Sequence, residues 1–227
     1  ERFTLIAVDR HTVDDHGAPR TVQAQAQDLI AVCAEEAARF ATASGGAGGV
    51  RPLLVGSSFG AVVVLEAMLR GAAITGAVLC EPPLAATSHT PPGAADFVDA
   101  LERLAEQHGG RAAAEKFLRT VLSDAGFARM PAAWVERSCA KWPDIRSDCR
   151  ALVAYDFSYE ALAQVTTPVL LLGGEKSAPY FAHTLDALAA ALPRARRDVL
   201  RGAGHMMHGE APRSFARAVC DFADSLR

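Results

Sequence analysis

Ser58 stands at the centre of the segment Gly56-Ser57-Ser58-Phe59-Gly60, which fits the pattern G-x-S-x-G. An apolar run of strand type, Leu53–Val55, precedes it, and a run of helical length, Ala61–Arg70, follows it. A serine on such a turn is lifted out of the sheet, where its hydroxyl can attack a carbonyl carbon. We expect small residues at 56 and 60 to let the strand and the helix approach. Ser57 is a competing hydroxyl off the centre of the pattern, and a turn that only packs tightly or binds an anion is the alternative.

A serine hydroxyl needs a base, and His205 in Gly202-Ala203-Gly204-His205 is the candidate. This segment lies between the last predicted strand and the terminal helix, where the base of a serine nucleophile is expected. His208 is the alternative, three residues further along. We expect His208 to line the same loop or to face solvent.

These residues need elements that bring them to one edge of a sheet. Continuous apolar runs predict buried strands at Phe3–Val8, Leu53–Val55, Ile74–Cys80, Pro168–Leu172 and Asp198–Leu200. Helical spacing predicts helices at Thr21–Phe40, Ala61–Arg70, Tyr180–Leu192 and Pro212–Leu226. Strands that alternate with helices and are apolar throughout favour an α/β fold with a mostly parallel sheet covered by helices on both faces.

The segment from about Ala94 to Glu160 has a different, amphipathic helical pattern, broken at Gly109-Gly110, Pro131 and Pro143. It predicts a helical lid inserted over the carboxyl edge of the sheet. We therefore divide the chain into a core of residues 1–82 and 161–227 and a lid of residues 83–160. Aromatic residues of the lid could line an apolar pocket, although packing within the lid is the simpler role for each: Phe97, Phe117, Phe127, Trp134 and Trp142.

Composition narrows the class of protein. Half of the 227 residues are hydrophobic, which allows a sizeable core, and the net charge of −3 gives no electrostatic reason to expect binding to nucleic acid or to an anionic membrane. No apolar run approaches the roughly 18 residues that would cross a bilayer. Five widely spaced cysteines without a CxxC pair favour reduced thiols over a disulfide framework or a zinc site, and hence a cytoplasmic protein. The glycines of Ser44–Gly49 predict a flexible loop, because no GK[ST] follows to make a phosphate cradle.

Taken together, the chain resembles the α/β-hydrolase fold superfamily. The resemblance rests on Ser58 in GSSFG, His205 in GAGHMMHGEAP, the strand PVLLLGG and the terminal helix. It covers nearly the whole chain and is weakest in the lid. It is specific for the fold and unspecific for the substrate.

The resemblance implies an acid that holds the histidine, usually placed soon after the strand equivalent to Pro168–Leu172. Ser177 occupies that position here. Some members carry the acid after the preceding strand, where this chain has Glu81. The order Ser58, Glu81, His205 then matches the order of this fold. Glu175 and, more weakly, Asp156 are the alternatives.

The resemblance also implies strands ahead of Phe3–Val8 and a loop that supplies one oxyanion donor; the second donor is the backbone N–H of Phe59. A sheet without those strands would leave backbone groups unpaired, so we expect the natural protein to be longer. The segment RHTVDDHG, residues 10–17, departs from the Arg-Gly-x-Gly-x-Ser stretch of relatives, and its role is open.

These features predict a serine hydrolase that cleaves an ester, thioester or lactone, a carboxylic ester hydrolase without metal or organic cofactor. Its partner is a small molecule with an acyl or carbonyl group, and its oligomeric state is not predicted. A lyase or a biosynthetic cyclase on the same fold is the second hypothesis, because a lid that excludes water would suppress hydrolysis. A catalytically inactive binding protein is the third.

Overall fold

In the residues that the structure describes, four strands form one parallel sheet, in the order β1-β2-β3-β4. The computed structural model describes residues 3–43, 50–86 and 93–227. The predicted loop Ser44–Gly49 and residues 87–92 of the proline-rich stretch lie outside the described residues. The strands are β1 Leu53–Ser57, β2 Gly76–Cys80, β3 Val169–Gly174 and β4 Ala195–Leu200.

Helices connect and cover these strands. The helices of the core are α1 Val22–Ala43, α2 Phe59–Leu69, α7 Pro179–Ala191, α8 Met207–Glu210 and α9 Pro212–Asp224. Between β2 and β3 lie α3 Ala94–His108, α4 Gly110–Ala128, α5 Ala132–Cys139, α6 Trp142–Val153 and a short 3₁₀-helix, Glu160–Gln164. The strands and helices predicted from residue 21 onward are present, with ends that differ by a few residues.

The two central strands, β2 and β3, are buried on both faces, which explains their continuous apolar sequences. Leu79 and its alternate neighbours pack towards α1, α2 and α7, whereas Val78 and Cys80 pack towards α9, where Phe222 is buried. Side chains of a strand point alternately to opposite faces of the sheet, so β2 needs apolar residues on both of its faces. All strands run in one direction, and their carboxyl ends therefore meet at one edge.

The predicted buried strand Phe3–Val8 is wrong. In the described part of the chain this segment joins no strand of the sheet, and residues 3–9 are exposed, with Leu5 92% exposed. β1 is the edge strand on its side, and Val55 is 46% exposed there. A strand is stabilised by hydrogen bonds to a neighbour, so apolar composition alone does not create one.

Candidate active site

Ser58 lies between the last residue of β1 and the first residue of α2. Its backbone has φ 52° and ψ −125°, a strained conformation for a residue with a side chain. The Ser58 N–H donates to the carbonyl of Cys80 at 2.8 Å, and the Ser58 carbonyl accepts from the N–H of Ala61 at 2.9 Å. These bonds fix the turn to β2 on one side and to α2 on the other.

Of the two glycines in the pattern around Ser58, only one occupies a position that has no room for a side chain. A Cβ on Gly56 would lie 2.6 Å from the carbonyl oxygen of Gly60, so the strand and the helix approach too closely for any side chain there. A Cβ on Gly60 would meet nothing within 4 Å. The expectation that both positions must be small is therefore correct for 56 and wrong for 60.

Glu81 follows β2 at the same edge of the sheet. The register pairs Ser57 with Cys80, so Ser58 and Glu81 are the next residues of neighbouring strands. Glu81 is 1% exposed and has φ 45°. Its Oε1 accepts a hydrogen bond from the N–H of Gly174 at 2.7 Å, which anchors the carboxylate to the end of β3.

His205 reaches this carboxylate from the loop after β4. Its Nδ1 lies 2.6 Å from Oε2 of Glu81, and the histidine is 6% exposed. A buried carboxylate at Nδ1 holds the ring in one orientation and stabilises its protonated form. A Cβ on Gly174 would lie 2.6 Å from the carbonyl oxygen of Gly204, so a glycine at 174 allows the histidine loop to pack against β3.

The sequence also matches a known protein family. The sequence profile of the alpha/beta hydrolase family matches residues 1–218. The chain belongs to this family. No curated protein matches its sequence.

Solved structures share the fold at low sequence identity. An esterase from Thermogutta terrifontis aligns with a TM-score of 0.74 and 19% identity over 96% of this chain and 78% of that chain. Est816, described as an N-acyl homoserine lactone degrading enzyme, aligns with a TM-score of 0.67 and 19% identity over 94% and 80%. A hydrolase from Oleispira antarctica aligns with a TM-score of 0.68 and 14% identity over 89% and 71%.

Within this alpha/beta hydrolase, the alternative acids point elsewhere. Glu175 accepts a hydrogen bond from the N–H of Gly202 at 2.8 Å and is exposed, and Asp156 is also exposed. Among the described residues, neither carboxylate is hydrogen-bonded to His205. Ser177 lies at the position usual for the acid. Its hydroxyl is buried and has no hydrogen-bond partner among the described residues.

The second histidine, His208, is exposed, with its ring 6.2 Å from that of Phe215. Partial desolvation and the charge of the nearby His205 lower the pKa of His208. The structure thus joins Glu81 to His205 and leaves His208 outside that contact.

Sequence reasoning missed Phe181. Its ring stacks on the imidazole of His205 with a centroid distance of 4.4 Å and an angle of 13°. Phe181 is 2% exposed in the first turn of α7, and the Tyr180 ring lies at a centroid distance of 4.1 Å from it, tilted by 33°. The helical spacing of Phe181, Leu185 and Leu188 marks a buried face, but only the fold places the first of them against the histidine.

The oxyanion donor predicted from sequence begins α2. Phe59 is the first residue of that helix and is 7% exposed. N–H groups in the first turn have no acceptor within the helix, so the N–H of Phe59 is free of helical bonding. It belongs to the residue directly after Ser58, where the family pattern places an oxyanion donor.

The helical insertion contacts α8, the short helix that begins two residues after His205. A Cβ on Gly209 would lie 2.9 Å from the Trp134 ring, and Arg129 pairs with Glu210 at 3.1 Å. Two other aromatic residues pack inside the insertion, Phe127 beneath Arg119 and Trp142 against Gly110. The insertion therefore lies against α8, the short helix that follows His205.

Among the described residues, no cluster of three or more His, Cys, Asp or Glu side chains could hold a metal ion. None of the helices described is both long enough and apolar enough to span a membrane.

Proposed function

We propose that this protein is a serine hydrolase that uses Ser58 as nucleophile, His205 as base and Glu81 as the acid that orients the base. The observation that carries the proposal is the 2.6 Å contact between His205 Nδ1 and Glu81 Oε2, at the sheet edge from which Ser58 projects. Ser58 and His205 follow strands whose carboxyl ends meet, in the order Ser, acid, His. This order and the strained turn at Ser58 support the assignment.

The reaction has two halves. Ser58 Oγ bonds to the carbonyl carbon while His205 takes its proton, and His205 then gives that proton to the leaving alcohol or thiol as its bond to the carbon breaks. In the second half, water attacks the acyl-serine while His205 takes its proton, and His205 returns that proton to Ser58 Oγ as the bond between Oγ and the acyl carbon breaks. The N–H of Phe59 stabilises the negative oxygen that forms in each half, which is worth a few kcal/mol per donor.

The substrate is a small molecule with an ester, thioester or lactone group, so the activity is that of a carboxylic ester hydrolase. We propose that residues 83–160 act as a lid over a core of residues 1–82 and 161–227. The aromatic side chains Phe97, Phe117, Phe127, Trp134 and Trp142 are the candidates for an apolar lining of the pocket. All five cysteines are free thiols, which supports the proposed cytoplasmic location.

A fluorophosphonate probe tests the nucleophile, because it reacts with activated serines. We expect stoichiometric labelling of Ser58 in the wild-type protein and none in Ser58→Ala, with the melting temperature nearly unchanged. Ser57→Ala is the matched control, since Ser57 is a neighbouring half-buried hydroxyl, and it should label normally. An unlabelled wild type would contradict the proposal and favour an inactive binding protein.

Products formed in ¹⁸O-water separate hydrolysis from the alternative lyase or cyclase chemistry. Hydrolysis places one ¹⁸O atom in the carboxylic acid product, taken from the water that attacks the acyl-serine. An elimination or a cyclisation leaves the product unlabelled. A panel of p-nitrophenyl esters, acyl thioesters and acyl lactones would supply the substrates.

A further inference from the structure

The loop that departs from the family pattern is docked on helix α6 of the insertion. Thr12 Oγ1 donates to Asp144 Oδ1 at 2.7 Å, and Ser147 Oγ donates to the Thr12 carbonyl. The guanidinium of Arg10 donates two parallel hydrogen bonds to the carboxylate of Asp148, at 2.9 and 2.6 Å. The three partners on α6 stand at spacings of three and four, so they share one face of the helix. This loop therefore ties the insertion to the core.

Arg10 is also the link from this docking to the proposed nucleophile turn. Its guanidinium carbon lies 4.9 Å from the centre of the Phe59 ring, and its Nη1 donates to Oε1 of Gln25 on α1. Gln25 and Phe59 are 2% and 7% exposed. A guanidinium within about 6 Å of a ring face is attracted to it, most strongly where water is partly excluded. The cation is thus held by a carboxylate, an amide oxygen and a ring.

We propose that Arg10 is a positioning residue for the oxyanion donor, an inference that rests on the proposed function. The Phe59 N–H belongs to the same residue as the ring beneath Arg10, so a contact that holds the ring also limits how far the backbone at Phe59 can shift. Donors that stabilise an oxyanion must be in place before the reaction, and small displacements weaken them. Asp148 on α6 fixes Arg10 in turn, so the pair of Arg10 with Asp148 links this helix to the proposed donor.

Arg10→Met tests the inference, because it keeps an unbranched side chain and removes the cation. Turnover is measured per active site, with sites counted by fluorophosphonate titration, so unfolded protein does not contribute. A displaced donor acts on the transition state, so we expect kcat to fall about tenfold or more with KM changed less than about threefold. Arg10→Lys should recover part of the loss, since it restores the charge without the two parallel bonds.

Asp144→Ala is the matched control. It removes a contact between the same loop and the same helix, but it does not touch Arg10, so kcat per titrated site should stay within about twofold of wild type. If Arg10→Met lowers only the melting temperature and the number of titratable sites, while each remaining site turns over normally, the inference is overturned.

A second pair of variants keeps the test decisive should Arg10→Met fold poorly. Asp148→Asn removes the anchor of the guanidinium and should lower kcat per site in the same way. In a Phe59→Leu background, which has no ring beneath the cation, Asp148→Asn should change kcat less than about twofold. Independent, multiplying effects of the two changes would overturn the inference. A failure of the proposed function looks different, because the wild-type protein itself would then lack a titratable serine.

Discussion

Ser58 and Glu81 leave adjacent parallel strands at the same level, and both do so with a positive φ, 52° and 45°. The register pairs the residues just before them, Ser57 and Cys80, and the Ser58 N–H donates to the Cys80 carbonyl. Left-handed backbone is uncommon for residues with side chains and persists only where surrounding contacts impose it. Two such turns side by side project a hydroxyl and a carboxylate from neighbouring points of one sheet edge.

Replacing Glu81 with glutamine tests whether its charge supports catalysis. The amide oxygen of Glu81→Gln can still accept from the Gly174 N–H, so folding should be retained. The negative charge that stabilises protonated His205 is lost, and kcat should fall by about three to four orders of magnitude. Steady-state kinetics with an activated ester, together with thermal unfolding, would measure both effects.

Glu175→Gln is the control for that change, because Glu175 is the carboxylate nearest in sequence to the usual acid position. Its hydrogen bond to Gly202 can be kept by the amide, and its exposure makes the charge weak in effect. We expect kcat within about twofold of wild type. The assignment of Glu81 is wrong if Glu175→Gln is the more damaging of the two.

The two histidines should differ in the same way. His205→Ala removes the buried ring between Glu81 and Phe181, and kcat should fall about 10⁴-fold or more. His208→Ala changes an exposed ring and should reduce kcat only a few-fold. Kinetics of both variants on one ester substrate would decide, and a reversed order would show that His208 is the base.

Gly56→Ala should destabilise the protein through backbone collisions. The added Cβ would lie 2.6 to 2.8 Å from backbone atoms of Gly60 and Ala61, which cannot rotate away as a side chain can. We expect a loss of about 1–3 kcal/mol in the free energy of unfolding. Gly60→Ala is the control, because its Cβ meets open space in a helix and should be neutral or slightly stabilising. Equal losses in urea unfolding for both variants would contradict this account.

The strands from Leu53 onward and the turn at Ser58 could be predicted from the sequence, because both leave local signals. Apolar runs alternate with helical periods, and the glycine at 56 is required by a contact four residues away. The segment Phe3–Val8 has an equally apolar pattern, yet its state depends on a hydrogen-bonded neighbour that the pattern does not describe. Local composition therefore predicts the capacity to form a strand and not its pairing.

The acid and the supporting contacts depend on distances between segments far apart in sequence. Glu81 and Glu175 are both carboxylates near strand ends. The register of β2 with β1 distinguishes them, because it places Glu81 beside Ser58. Phe181 and Arg10 have ordinary sequence signals, a buried helix face and a charged loop residue. Their positions against His205 and Phe59 arise from the packing of α7 and α6, which no single segment encodes.

A charge cluster holds two helices of the insertion together. Glu102 on α3 accepts hydrogen bonds from Arg150 and Arg146 on α6, and Asp99 also accepts from Arg150. The hydrogen bond from Arg150, with the bond and charge of Arg146, lowers the pKa of Glu102 from 4.5 to about 2. A depressed pKa means that the folded protein favours ionised Glu102, so this stabilisation is complete above about pH 4.5 and is lost as the pH falls towards 2.

Glu102→Gln should therefore be less stable than wild type at pH 6, by about 1 kcal/mol because solvent screens the partly exposed Arg146 and Arg150, and this difference should shrink between pH 4.5 and pH 3. Urea unfolding of both proteins across this range measures it, and taking the difference removes the titration of the other carboxylates. Glu136→Gln is the control, because Glu136 makes a similar two-bond pair with Arg111 but is exposed to solvent, where such pairs contribute little. A Glu102→Gln difference that stays constant down to pH 3 would show that the pairing with Arg150 and Arg146 does not stabilise the fold through the charge of Glu102.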